Sequence, residues 1–556
     1  MRDHGRAAWW LRAYAAMLVV AVTWPFLMPV GVVGAGGPGD YGDGGAGASV
    51  PAFALRDMMV FDQMTLTRAS LGFGDLPARN VPQDSLLGIL PWPMLAVRVI
   101  MVVSAAAAAW AGWWLGRSTF GRAAAMTVAV WNPFVVERLL QGQWSLAAAA
   151  WLLPAVALCW SGGGGAAINT ARPGNTARPG NTARPGNPVR PANTARPGGI
   201  VAQWLASLTP TGAIAAALFS RGRLGLLTSA LTCAPWVVAG VLAASGTSAA
   251  TSAATGASGT STAAGAAAFA PRAETGVGTL GALMGLGGIW NSHAVPPSRA
   301  AGFAVFGIAL FLVLALAWRE VTRRWLALAA LGYGVALASW AGWLEVIVVN
   351  VPGGGLLRDA QKWLILAIPA FVAAAGALRP RLAPVALALA LLQVPDAPLA
   401  IAQLAPTRIE VPTVAHAGRD VLFVDRPTLV TLGTGAVAVD PAPKAMNVVE
   451  SGALRVDAHL TDPPSQRWSH AHAALQKAGG AAAGSHMPEE TAAELRDLGI
   501  GLVVFPDGQV AETGAPARGW PPVGVALFAL WCAVPLLALL PGAPRPSRRP
   551  RRMSLN

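Results

Sequence analysis

The chain has 556 residues, 54% of them apolar and only 12% charged, with a mean hydropathy of +0.50. A soluble chain of this length would be two or more domains with about 25% charge. Net charge is +14, carried almost wholly by Arg, since Lys occurs only at Lys362, Lys444 and Lys477. No basic stripe is interleaved with aromatics, which argues against nucleic acid as a partner. Cys159, Cys233 and Cys532 all fall inside apolar runs, with no spacing that suggests a disulfide framework or a zinc site.

The apolar residues gather in runs of roughly 17–25, the length that spans a bilayer. Arg2, Arg6 and Arg12 precede the first run, about 13–33, and the positive-inside rule places residue 1 in the cytoplasm. That run reads as an uncleaved signal anchor, because many more spans follow. It delivers the loop 35–90 to the outside. This loop carries Asp40, Asp43, Asp57, Asp62, Asp75 and Asp84 in a chain otherwise poor in acid. Span 2, about 94–115, returns to a turn with Arg117 and Arg122. Span 3, about 123–136, emerges at Trp131-Asn-Pro-Phe-Val-Val-Glu-Arg138, and span 4, about 144–160, comes back.

Asn-Thr-Ala-Arg-Pro-Gly then repeats at 169–174, 175–180, 181–186 and 193–198. Six residues are too few for a solenoid unit, and Pro and Gly recur too often for helix. The insert 161–199 therefore reads as disordered and cytoplasmic. The run 204–219 is broken at Thr209-Pro-Thr-Gly212 and followed by Arg221 and Arg223, which favours a re-entrant hairpin over a crossing. Spans at about 224–244, 300–318, 325–348, 362–378, 382–393 and 521–540 follow, the last locked by a basic tail.

Between 395 and 519 apolar runs shorten to strand length at 420–424, 428–432 and 500–505, with a helical stretch at 488–498, which suggests a small α/β domain on the outer side. The expected fold is a polytopic α-helical membrane protein of about 10 (9–12) transmembrane helices. A membrane domain, 1–394, precedes the outer α/β domain, 395–519, and a final span with a cytoplasmic tail, 520–556. Both termini are expected in the cytoplasm and the protein in the plasma (inner) membrane.

Four polar clusters share the outer face: the acidic loop; Asn132, Glu137, Arg138, Gln141 and Gln143; Trp290-Asn-Ser-His293; and Arg358-Asp359-Ala-Gln-Lys362. The alternation of spans with an acidic first outer loop resembles the GT-C superfamily of multi-spanning glycosyltransferases. It is most similar to actinobacterial members thought to use polyprenyl-phosphate sugars. The stretches 131–144, 207–212, 357–362 and 495–504 look like segments of that family. The resemblance implies a carboxylate of the first outer loop as base, or as ligand of a divalent cation (Mg or Mn). Asp57 is the preferred catalytic residue and Asp84 the second. An acceptor hydroxyl needs a base within hydrogen-bond reach. A leaving phosphate needs cationic donors, for which Arg138 and Arg358, then Lys362, are the candidates, with Glu137 and Asp359 beside them. Asp57 is also the candidate ligand if a divalent ion is used. No Asp-x-Asp occurs in the loop, a departure from the family pattern that bears on the metal. The implied partners are the bilayer, a polyprenyl-phosphate sugar donor and a cell-envelope acceptor. Two alternatives stand beside transfer: a non-catalytic GT-C-like scaffold of envelope assembly, and an envelope lipid transporter or flippase. His459, His470, His472 and His486 have no convincing metal spacing.

Overall fold

The computed structural model describes residues 2–30, 47–78, 80–161, 195–250, 263–351, 353–456, 459–480 and 487–539. Asp40, Asp43, most of the hexapeptide insert, His486 and the basic tail lie outside the described residues. The chain is mostly helical, with small sheets. Among the described residues, seven helical segments are long and apolar enough to cross a membrane: Trp9–Leu27, Pro93–Leu115, Thr119–Leu140, Gly222–Leu242, Ala360–Ala377, Ala383–Leu404 and Pro522–Leu539. Shorter apolar helices occupy Trp144–Trp160, Pro210–Phe219 and Val305–Ala315. Fewer segments than the expected ten thus have the length to cross, and the expected span at 325–348 is not among them. One cause is helix breaking. The expected span at 300–318 contains a turn at Gly302, whose φ of +99° leaves only Val305–Ala315 as regular α-helix.

The segments differ in what surrounds them. Thr119–Leu140 is buried from Ala123 onward, and Ala360–Ala377 almost throughout. By contrast with their buried stretches, Trp9–Leu27, Gly222–Leu242 and Pro522–Leu539 turn side chains such as Met17, Leu226 and Leu536 outward. Small residues allow the inner helices to touch closely. A Cβ on Gly112 would strike the backbone of Ala125 and Met126, and one on Gly376 would strike Leu115. The break in the central segment is satisfied by one side chain. Asn132 Nδ2 donates to Val128 and Ala129 carbonyls at 3.1 and 3.2 Å, while Asn132 Oδ1 accepts from Val135 N at 3.0 Å. Asn132 therefore closes one helix and caps the next, a necessity for a backbone break away from water.

The two ends of the bundle are chemically distinct. At one end the arginine-bearing turns meet. Arg117 pairs with Glu320 at 2.8 Å, Arg117 N donates to Gly376 O at 3.0 Å, and Arg324 donates to Ser220 O at 3.1 Å. The break at 207–209 separates Ala195–Ala206 from Pro210–Phe219, and the second of these helices ends beside Arg324.

At the other end lies the loop before Pro93–Leu115, and it is structured. Strands β1 (Gly47–Leu55) and β2 (Met58–Phe61) form a hairpin whose two-residue turn is Arg56-Asp57. β1 also pairs, antiparallel, with β3 (Thr407–Pro412), giving the order β2-β1-β3. The first loop and the 395–519 segment therefore share a sheet. That segment also holds β4 (Val421–Phe423), the hairpin β5 (Leu429–Thr431) and β6 (Val437–Val439), and the hairpin β7 (Leu454–Val456) and β8 (His459–Asp462). β9 (Leu502–Val504) pairs parallel to β4 and antiparallel to β10 (Val510–Glu512). Helices Gln466–Lys477 and Glu489–Asp497 cover this last sheet through Leu475, Leu495, Ile500, Val503 and Phe505. Three of these strands and the second helix lie within the runs expected from sequence.

Candidate functional site at the loop-bearing end

The site begins at the break in Thr119–Leu140. Pro133 opens the helix Pro133–Leu140, whose last turns carry Glu137 and Arg138, both fully buried. An ion in such a place needs a partner of opposite charge. Arg138 finds Asp359, which directly precedes Ala360–Ala377. Nη1 and Nη2 contact Oδ2 and Oδ1 at 2.5 and 3.0 Å, the bidentate geometry that suits guanidinium to carboxylate. Burial pushes the Asp359 carboxyl up, but the charge and hydrogen bonds of Arg138, with Lys362 and Arg358, outweigh it and hold Asp359 below its ordinary value.

Gln361 and Gln143 extend the pair in two directions. Inward, Arg138 donates to Gln361 Oε1, whose amide nitrogen reaches Glu137 Oε2 at 3.4 Å and the Gly287 carbonyl at 3.3 Å. Glu137 also accepts from Ile289 N at 3.1 Å. Arg299 lies 3.5 Å from Glu137 and 2.6 Å from Glu274, so one buried guanidinium faces two carboxylates. Gly287 lines this meeting point, where a Cβ would strike Arg299, Glu274 and Glu137. Outward, Arg138 Nη1 donates to Gln143 Oε1 at 2.7 Å, and Gln143 Nε2 donates to Asp57 Oδ2 at 3.0 Å. A continuous polar path therefore runs from the buried Arg299 cluster to Asp57, which is exposed at the hairpin tip.

The tip is fastened from three sides. Arg56 has a φ of +47°, uncommon for a residue with a side chain. Its N donates to Val437 O at 2.6 Å, and its carbonyl accepts from Val439 N at 2.9 Å. Its guanidinium donates to Leu140 O and, at 2.8 Å, to His293 O. Asp57 N donates to Gln141 O at 3.1 Å, and Gln141 Oε1 accepts from Asn291 at 2.7 Å. Thus three of the four polar clusters meet around the Arg56-Asp57 turn directly, and the fourth meets it through Arg138.

The remaining candidates occupy other contacts. Asp84 pairs with Lys444 at 2.8 Å, both largely buried, and so ties the loop to the 395–519 segment. Asp62 accepts from Met94 N at 3.1 Å at the start of Pro93–Leu115. Arg358 pairs with Asp462 and lies over the Phe269 ring at 4.0 Å. Lys362 is half-buried one turn beyond Asp359. His470 and His472 sit two apart on a helix and so diverge, with His472 stacked on Trp468 at 4.5 Å. Among the described residues no three His, Cys, Asp or Glu side chains gather as a metal site. Gln143 Nε2 is a donor to the Asp57 carboxylate, and among the described residues no cluster of carboxylates or imidazoles gathers there, so the site does not fit Mg or Mn.

The chain matches no family model, no curated protein and no solved structure.

Sequence reasoning did not anticipate Glu274, Arg299, Asp462 or Lys444. Arg299 in a stretch otherwise of Ala, Gly, Pro and Ser was the one available signal, since a lone charge beside an apolar run calls for a partner.

Proposed function

We propose that the protein is a membrane glycosyltransferase of GT-C type, moving a sugar from a polyprenyl-phosphate donor to a cell-envelope glycan or lipid at the outer membrane–water boundary. The observation that carries this reading is the position of Asp57. It is an exposed carboxylate on a rigidly fastened turn, held by Gln143, at the end of the bundle away from the arginine-bearing turns. With the arginine turns cytoplasmic, Asp57 faces outward. The arrangement extends the expected topology to a multi-pass protein of the plasma membrane with both termini inside.

In this reading Asp57 takes the proton of the acceptor hydroxyl. The acceptor oxygen bonds the anomeric carbon as the bond from that carbon to the polyprenyl-phosphate oxygen breaks, and the phosphate leaves with the electron pair. Gln143 is a positioning residue, because its other end is anchored on Arg138. Lys362, one turn beyond Asp359, is the candidate for the leaving phosphate.

A second reading, the non-catalytic scaffold, is favoured by one feature. Arg138 and Arg358, the expected phosphate contacts, are engaged by Asp359 and Asp462. A membrane assay with labelled donor separates the two. Asp57→Asn is expected to abolish transfer while leaving membrane abundance unchanged; full activity in Asp57→Asn removes the base assignment, and no transfer by the unaltered protein favours the scaffold.

A further inference from the structure

Cationic excess lies elsewhere, at the foot of the last apolar helix. Arg68, Asn447, Arg518, Gly519 and Trp520 line a cavity of about 220 Å³. The charged groups around Arg68 are Arg467, Arg518, Asp75 and Asp420. Asp420 is shared by Arg467, at 2.8 Å, and Arg518, while Arg467 also reaches Asp75 at 3.4 Å. Three guanidiniums therefore stand against two carboxylates. Arg68 is the one left over. Its guanidinium donates to the Gly519 carbonyl, and its buried Nε has no hydrogen-bond partner. Its backbone is set by a 2.9 Å bond from Arg68 N to Asn447 Oδ1. A guanidinium in excess of its carboxylates at the wall of a cavity marks a place where an anion would be stabilised.

The cavity's position says which anion. Trp520 is 53% exposed, two residues before the helix that begins at Pro522, where Val523 and Val525 are also exposed. Gly524 lies against Leu71 and Phe73, so the loop bearing Arg68 rests on the start of that helix. An exposed Trp at the head of an apolar helix is the usual marker of the membrane–water interface. A phosphate diester there presents two oxygens to a guanidinium fork, and its substituent can lie beside the indole.

We propose that the Arg68–Arg518 cavity binds the phosphate of an anionic lipid headgroup. The site is separate from the Asp57 turn and does not rest on the transfer reaction. Titration calorimetry of the full chain in detergent, with short-chain phosphatidylglycerol, short-chain phosphatidylcholine and inorganic phosphate, tests it. Phosphatidylglycerol is expected to bind about tenfold or more tightly than phosphatidylcholine, to weaken with salt, and to lose about tenfold in Arg68→Gln. Arg518→Gln, which leaves Asp420 with Arg467, is expected to show a smaller loss and decides the matter if Arg68→Gln does not fold. Equal binding of the two lipids, or unchanged phosphatidylglycerol affinity in the folded variants, overturns the proposal. Binding of inorganic phosphate without a lipid preference also overturns it, in favour of a soluble phosphate.

Discussion

Arg299 is the residue on which the buried part of the site depends. It alone separates Glu137 from Glu274, and all three side chains are almost or wholly out of water. Arg299→Met is expected to cost about 3–5 kcal/mol, because it takes from two buried carboxylates the guanidinium they share. Adding Glu274→Gln should restore part of the loss, as a shift in thermal unfolding would show; no loss in the single variant would mean that the cluster is not held by this ion. A second residue-scale prediction concerns Glu450. Burial, with the nearby Asp75 and Asp440, pushes its carboxyl up from 4.5 to about 7. The folded state then binds more protons than the unfolded one between these values. The stabilising contribution is full below pH 4.5 and lost as pH rises through about 7. Thermal midpoints should fall over that window, and Glu450→Gln should flatten the fall; an unchanged slope in the variant would contradict it. At this scale the sequence showed which side chains were chemically notable but not what they face. Glu137 stands beside Arg138 in the sequence, and Arg358 beside Asp359. Yet the partners are Arg299, Asp359, Asp462 and Arg138, the nearest of them 104 residues away, and spacing along a chain carries no such information.

Among the elements, the β1–β2 hairpin is what brings Asp57 to the bundle. Gly142 makes room for it. Its φ is +82°, and a Cβ there would strike Leu55 O and Met58 N. Gly142→Ala is expected to destabilise by more than about 1 kcal/mol, from backbone conformation and contact together. It should also loosen the Asp57 turn, visible as faster amide exchange at residues 55–58; unchanged exchange would mean the turn is seated by other contacts. Helical elements were legible because period and apolar length reveal them, although the break expected at 209–212 falls at 207–209, where Pro210 opens the next helix. The hairpin was not. Gly-Ala-Ser-Val-Pro-Ala-Phe-Ala-Leu lacks the clean alternation of a half-buried strand, because its inner end is buried on both faces. Its partner β3 is more than 350 residues further on, so the loop read as an open acidic segment. The short strands of 395–519 were easier, since each lies in a run bounded by turn residues.

The whole molecule has two ends of unlike chemistry: arginine turns at one, and at the other a polar path surfacing at Asp57, in a hairpin turn of the sheet shared with the 395–519 segment. Asp84–Lys444 and β1–β3 make that sheet and the first loop one structure, so the candidate base is held by the 395–519 segment as well as by the bundle. Transfer chemistry at such a place would consume a lipid-linked donor and extend an envelope glycan. The most direct test is the lipid and glycan profile of a strain lacking the gene, complemented with the unaltered protein or with Asp57→Asn. The account predicts accumulated polyprenyl-phosphate sugar and a truncated glycan in the deletion strain, corrected by the unaltered protein and not by Asp57→Asn. Unchanged donor and glycan in the deletion strain, or full correction by Asp57→Asn, would contradict it.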